Sequence, residues 1–170
     1  MMKTLLLLRH AKSSWKDTTL VDHKRPLNKR GKKDAPIMGE YLKNKKLTPD
    51  LIISSTAKRA RDTSKLVAEH CGYNKDIQSS KLLYGTTTKD YLTTIGGISN
   101  KYNRVLFIGH NPILENVLET VTGEQIRMKT CSLVHISLPV QFWKEVKDNT
   151  NTKGKLIDIV KVKKLNKHSS

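Results

Sequence analysis

Leu5 to Leu8 are four consecutive leucines that run directly into Arg9 and His10. An apolar run this short, with no polar alternation, fits a strand buried on both faces. Such strands belong to sheets covered by helices. Ligands of open α/β sheets sit beyond the carboxyl ends of strands, which is where Arg9 and His10 emerge. A permanent cation beside an imidazole at that place suits an anionic substrate and a nucleophile. An isolated Arg-His pair is also a common strand end, so its meaning depends on what the rest of the chain brings to it.

At 170 residues the chain reads as a single domain over 1–162 with a basic, disordered tail over 163–170. No apolar run reaches membrane-spanning length, and the start lacks the longer apolar region and cleavage site of a signal peptide. A cytoplasmic location with no membrane partner is therefore expected. Cys71 and Cys131 are far apart and read as reduced, partly buried thiols. No His, Asp or Glu cluster has metal-ligand spacing, so metal independence and no cofactor are expected. The net charge of +17 is concentrated at the ends, with +8 in residues 1–50 and +5 in the last twenty. A basic surface attracts phosphate-bearing partners and says nothing about fold. Aromatic residues are only 5% and do not interleave with the lysines, so nucleic acid is not the expected partner.

Further strands are predicted at Leu51–Ile53, Arg104–Ile108, Leu133–Leu138 and Lys155–Val162, with a short edge strand in Ile77–Leu83. A helix capped by Asn28 is predicted over Arg30–Lys46. Proline is tolerated mainly in a first turn, which moves the expected start toward Asp34, near Pro36. A second helix follows Ser54–Thr56 and ends at Gly72 in a left-handed cap. Lys89–Ile98 reads as a weak helix and Pro112–Thr122 as a stronger one, while Lys147–Gly154 reads as a polar loop.

Three strand ends thus deliver polar groups to one side of a parallel sheet. The first gives Arg9 and His10, the turn and helix after the second give Arg59, and the strand Arg104–Ile108 gives His110. Two guanidiniums and two imidazoles converging at helix N-termini suit a tetrahedral phosphoryl group. R-H near the N-terminus, S-x-x-x-R-A-x-x-T over Ser55–Thr63 and G-H-N-P over Gly109–Pro112 resemble the histidine phosphatase superfamily. The R-H-A-K-S-S-W opening and D-H-K-R-P-L-N-K-R-G at Asp22–Gly31 are similar to the SixA-type phosphohistidine phosphatases. The likeness runs from Leu5 to Pro112 and includes the strand near Leu133; the tail beyond Lys144 lies outside it.

The resemblance implies a phosphoglycerate-mutase-like fold, a three-layer α/β/α domain with a mostly parallel central sheet. It implies that His10 attacks phosphorus in line and becomes phosphorylated, after which water hydrolyses the intermediate. Arg9, Arg59 and His110 then hold the equatorial oxygens. Nearby arginines are expected to lower the pKa of His10. Ser13 is assigned a substrate-binding hydroxyl. Arg25 is assigned a substrate-binding role too, although its cluster with Lys29, Arg30, Lys32 and Lys33 reads equally well as a solvated face. His23 is expected at a rim, His70 and His135 in structural roles, and Arg61 away from the pocket.

Ala11 stands where many superfamily members carry glycine, which agrees with the narrower SixA-like branch. Phosphomonoesterases of the superfamily place an acid after the second helix, and in Gln78–Tyr91 only Asp90 is available, where it could merely begin a helix. The expected substrate is therefore a phosphohistidine-bearing protein. The alternatives are a small phosphorylated substrate hydrolysed as a phosphomonoester, or a non-catalytic basic module binding phosphate or nucleic acid.

Overall fold

The computed structural model describes residues 2–148 and 153–167. β1 (Lys3–Arg9), β2 (Leu51–Ser55), β3 (Gln78–Ser80), β4 (Arg104–Gly109), β5 (Leu133–Leu138) and β6 (Lys155–Val160) form one sheet in the order β3-β2-β4-β1-β5-β6. β1 to β4 are mutually parallel, and β5 alone runs against its neighbours. The sheet is thus mostly parallel, as predicted.

Both faces of β1 are covered, which explains why its leucines do not alternate with polar residues. Leu6 and Leu8 pack with Met38, Leu42 and Val67 of α1 (Lys29–Asn44) and α2 (Lys58–Cys71). Leu5 and Leu7 pack with Ile95, Leu114 and Trp143 beneath α3 (Thr88–Gly96), α4 (Ile113–Thr122) and α5 (Lys144–Asp148). All four leucines are fully buried, each contributing roughly 1.5–3 kcal/mol relative to an exposed position. Among the described residues no helix is long and apolar enough to cross a membrane.

Several boundaries differ from the sequence reading. The Asn28 side chain accepts from Gly31 N at 2.9 Å, so α1 starts at Lys29 and carries Pro36 within it. The carbonyl that Pro36 leaves without an amide donor belongs to Lys32, which stands on the exposed side of the helix. The edge strand stops at Ser80, whose hydroxyl accepts from Leu82 N and turns the chain into a 3₁₀ turn over Lys81–Leu83. Residues 147–148 belong to α5 instead of a loop; positions 149–152 lie outside the described residues. The predicted last strand ends at Val160. Residues 163–166, assigned from sequence to the disordered tail, are helical in α6 (Val162–Asn166), anchored by buried Val162; residues 168–170 lie outside the described set. Gly72 closes α2 with φ +79°, the left-handed cap that its position predicts.

Candidate active site

Parallel register sets the site. Leu8 and Ser54 both pair with Ile108, and Arg9 pairs with Gly109, so β1, β2 and β4 end at one level. The next residues along each strand therefore rise from a common edge. His10 and His110 meet there with ring centroids 5.1 Å apart. The N-terminal turn of α2 brings Arg59 to them, and its guanidinium acts electrostatically on both rings.

The His10 ring is held by its own loop. Its Nδ1 lies 2.7 Å from the Ala11 carbonyl oxygen, which can only accept, so the proton sits on Nδ1. Nε2 is left with its lone pair and has no partner among the described residues. The backbone beneath is fixed from two sides: His10 N donates to Gly109 O at 2.9 Å, and Ala11 N donates to Thr63 Oγ1 at 3.0 Å. Thr63 in turn donates to Arg59 O at 2.7 Å, tying the loop that carries His10 to the helix that carries the arginine.

Burial, more than charge, sets the protonation state. Desolvation first, and then Arg59, Arg9 and Arg25, together lower the His10 pKa from 6.5 to about 4, against the bond to the Ala11 carbonyl, which raises it. The sequence reading credited the arginines alone; the fold puts burial first. His110 falls to about 3, again through burial first and then through His10 and Arg59. Its Nε2 pairs with Ser55 Oγ at 2.8 Å, while its buried Nδ1 has no protein partner.

A carboxylate that the sequence reading had not assigned to the site organises the mouth. Arg59 Nη1 donates to the Asp22 carbonyl at 2.7 Å and Nη2 to Asp22 Oδ2 at 3.0 Å. Arg25 Nε donates to Oδ1 at 3.1 Å, and the Tyr84 hydroxyl donates to Oδ2 at 2.8 Å. Burial alone would raise the Asp22 pKa, but donation from Tyr84, Arg59 and Arg25 outweighs it and holds the carboxyl at about 2. Asp22 was visible only as part of D-x-x-R, and Tyr84 carried no local signal. The 3₁₀ turn anchored by buried Leu83 delivers it.

Ser13 and Arg25 fall on the same wall. Buried Ser13 accepts from Arg25 Nη1 at 2.7 Å, so its hydroxyl oxygen positions the arginine. The Arg25 guanidinium also lies 3.5 Å from the centre of the exposed Trp15 ring. Arg9 reaches back to donate to Met128 O at 3.0 Å, and its Nε is buried without a partner. His23 stands at the rim, pairing with Thr56 Oγ1 at 2.9 Å and meeting Tyr84 edge-on. His70 is half-buried and donates Nδ1–H to Leu66 O, Arg61 is exposed, and both cysteines are buried and free. Asp90 serves the capping box of α3, its Oδ2 accepting from Thr87 N and Oγ1. Among the described residues no group of three His, Cys, Asp or Glu side chains could hold a metal ion.

An uncharged imidazole with a free lone pair, facing guanidiniums at the ends of parallel strands, is matched to displacement at phosphorus. Fold and site together define a phosphoryl-transfer enzyme of the α/β class. The chain belongs to the histidine phosphatase superfamily: the profile of its branch 1 matches residues 5–83. An uncharacterised chloroplastic protein of Arabidopsis thaliana is 33% identical over 152 residues, covering 84% of this chain and 70% of that protein. The likeness is SixA-like in structure. A candidate phosphohistidine phosphatase SixA from Agrobacterium tumefaciens superposes with TM-score 0.79 at 28% identity, over 94% of this chain and 97% of that one. The fold also matches the protein histidine phosphatase SixA complexed with tungstate, with TM-score 0.81 at 17% identity, over 95% and 99% of the two chains.

Proposed function

We propose that this protein dephosphorylates phosphohistidine on proteins through a covalent intermediate at His10. The Nε2 lone pair attacks phosphorus and forms a new N–P bond as the bond to the substrate imidazole breaks. That imidazole carries a proton, taken from solvent, on the ring nitrogen not bonded to phosphorus, and so departs neutral. Water then attacks phosphorus, the His10 N–P bond breaks, and inorganic phosphate leaves with His10 restored. Arg9, Arg59 and His110 bind the equatorial oxygens, with Arg25 and Ser13 at the entrance.

The observation that carries this reading is the state of Asp22. It is the carboxylate at the mouth of the site, and three donors hold it ionised at about 2. A group held that acidic is a poor proton donor to an alkoxide near neutral pH. Asp90 is engaged at its own helix start. A leaving group that needs little external acid, such as an imidazole, fits this arrangement best. The SixA neighbours, whose names carry phosphohistidine phosphatase activity, support the same choice.

A substrate panel tests it. A phosphohistidine protein is expected to exceed sugar and alkyl phosphates in kcat/KM by about 100-fold or more, the lower range of what a positioned acid supplies. Equal turnover of the two classes would exclude the reading.

A further inference from the structure

Beside the site, and sharing Arg9 with it, lies a cavity of about 380 Å³ whose other lining residues have no role in the reaction. Lys12 from the catalytic loop, Lys129 from the turn before β5, and Lys161 and Lys163 around the start of α6 all line it. They come from separate stretches of chain, so they are not one solvated helix face. Among the described residues none of these four ammoniums has an ion-pair partner. The carboxylate on the wall, Asp34, is taken by Arg30 at 3.3 Å.

A second and independent observation comes from Ser132. It lines the same cavity, is 1% exposed, and among the described residues its hydroxyl has no hydrogen-bond partner. A buried hydroxyl without a partner is rare in a native interior and calls for a missing one. Converging ammoniums repel one another unless an anion lies between them. Several ammoniums, each a point charge with three rotatable donors, suit a multiply charged oxyanion such as phosphate.

We infer that this cavity is a second anion site, taking a phosphate or polyphosphate group other than the one transferred at His10. That group is either free or carried on the same molecule as the reacting phosphoryl. The site is wired to the nucleophile. Cys131 N, in the turn that supplies Lys129, donates to both Arg9 O at 3.0 Å and His10 O at 3.1 Å. Occupancy thus bears on the backbone that presents the His10 ring. The inference does not depend on which substrate the first site hydrolyses.

The test is a backbone amide NMR titration of the full chain with inorganic phosphate and with tripolyphosphate. Two groups of amides are expected to shift with separate affinities, one around Ser55, Tyr84 and His110 and one at 130–132 and 161–163. In the double variant Lys129→Ala/Lys163→Ala, tripolyphosphate affinity of the second group should fall about tenfold, with the first group unchanged. Because both lysines are exposed, the fold should persist, and the unchanged first group of shifts verifies it. Kinetics then assign the source. A free ligand changes wild-type turnover of a singly phosphorylated substrate when tripolyphosphate is added, whereas a ligand on the substrate raises the variant's KM for bisphosphorylated compounds only. Absence of shifts at 130–132 and 161–163 when the first site is saturated would overturn the proposal. So would unchanged affinity in the variant.

Discussion

Asp22 and Arg59 are locked together across the mouth of the site, with Nη2 3.0 Å from Oδ2 and Nη1 2.7 Å from the Asp22 carbonyl oxygen. The guanidinium is thereby fixed before any phosphoryl group arrives, and orientation fixed in advance lowers the cost of reaching the transition state. The same carboxylate also neutralises part of the positive field that the substrate must feel.

Two opposite effects follow from Asp22→Asn. Loss of the anchor should lower kcat about tenfold, since a misplaced arginine stabilises the transition state less well. Loss of the negative charge should tighten inhibition by inorganic phosphate. Steady-state kinetics with a phosphate inhibition series reads both, and unchanged values for the two would refute the positioning role.

His10→Ala removes the imidazole at the strand ends whose Nδ1 is taken by a backbone bond and whose Nε2 is left open. Turnover is expected to drop by about 1,000-fold or more. Acid-labile phosphate on the protein after a rapid quench should disappear. Labelling that persists in the variant would move the nucleophile elsewhere.

Acid should destabilise the ligand-free protein well above the usual carboxylate range. The folded pKa values of His10 and His110, about 4 and about 3, lie below the ordinary 6.5. Below pH 6.5 the unfolded chain therefore binds protons that the folded chain does not. The stability linked to these rings is full above about pH 6.5 and is lost as pH falls toward 4, by up to about 1.4 kcal/mol per pH unit for each ring. Asp22, lowered from 3.8 to about 2, adds a loss of the same sign below the histidine window. Urea midpoints between pH 7.5 and 4.5 measure the histidine part, and a flat profile would contradict it.

Gly31 packs the first turn of α1 against the loop that follows His10. A Cβ there would sit 2.2 Å from the Lys12 carbonyl oxygen, a backbone atom that cannot swing away. Gly31→Ala should cost about 1–3 kcal/mol and lower activity, because the displaced segment carries His10. A thermal melt beside an activity assay checks the pairing of the two losses.

Tyr91 offers the converse case. Its buried hydroxyl has no partner and crowds Gly109, where an added Cβ would lie 2.1 Å from the oxygen. Tyr91→Phe is expected to be neutral or to stabilise by about 1 kcal/mol, with activity unchanged. A marked loss of stability in denaturant melts would show that the hydroxyl has a role.

The sequence by itself determined the central strands of the sheet and where they end. Leu5–Leu8 and Val105–Ile108 are continuous apolar runs because both faces of their strands are covered, and such a pattern is local enough to read directly. Asn28 and Gly72 fixed the ends of their helices for the same reason: a cap acts within a few residues. The positions Arg9, His10, Arg59 and His110 were legible as motifs following those strands. What only the tertiary structure decided was how these groups are tuned. Asp22 and Tyr84 are separated by 62 positions yet share a hydrogen bond, and nothing in either segment announces the other. Pro36 sits inside α1 where the carbonyl it leaves without a donor belongs to exposed Lys32, a fact of position on the surface. The low His10 pKa likewise depends first on how deeply the folded sheet and helices bury the ring. Short-range steric and capping rules act along the chain, whereas desolvation and charge pairing act through space, so only the packed molecule sets them.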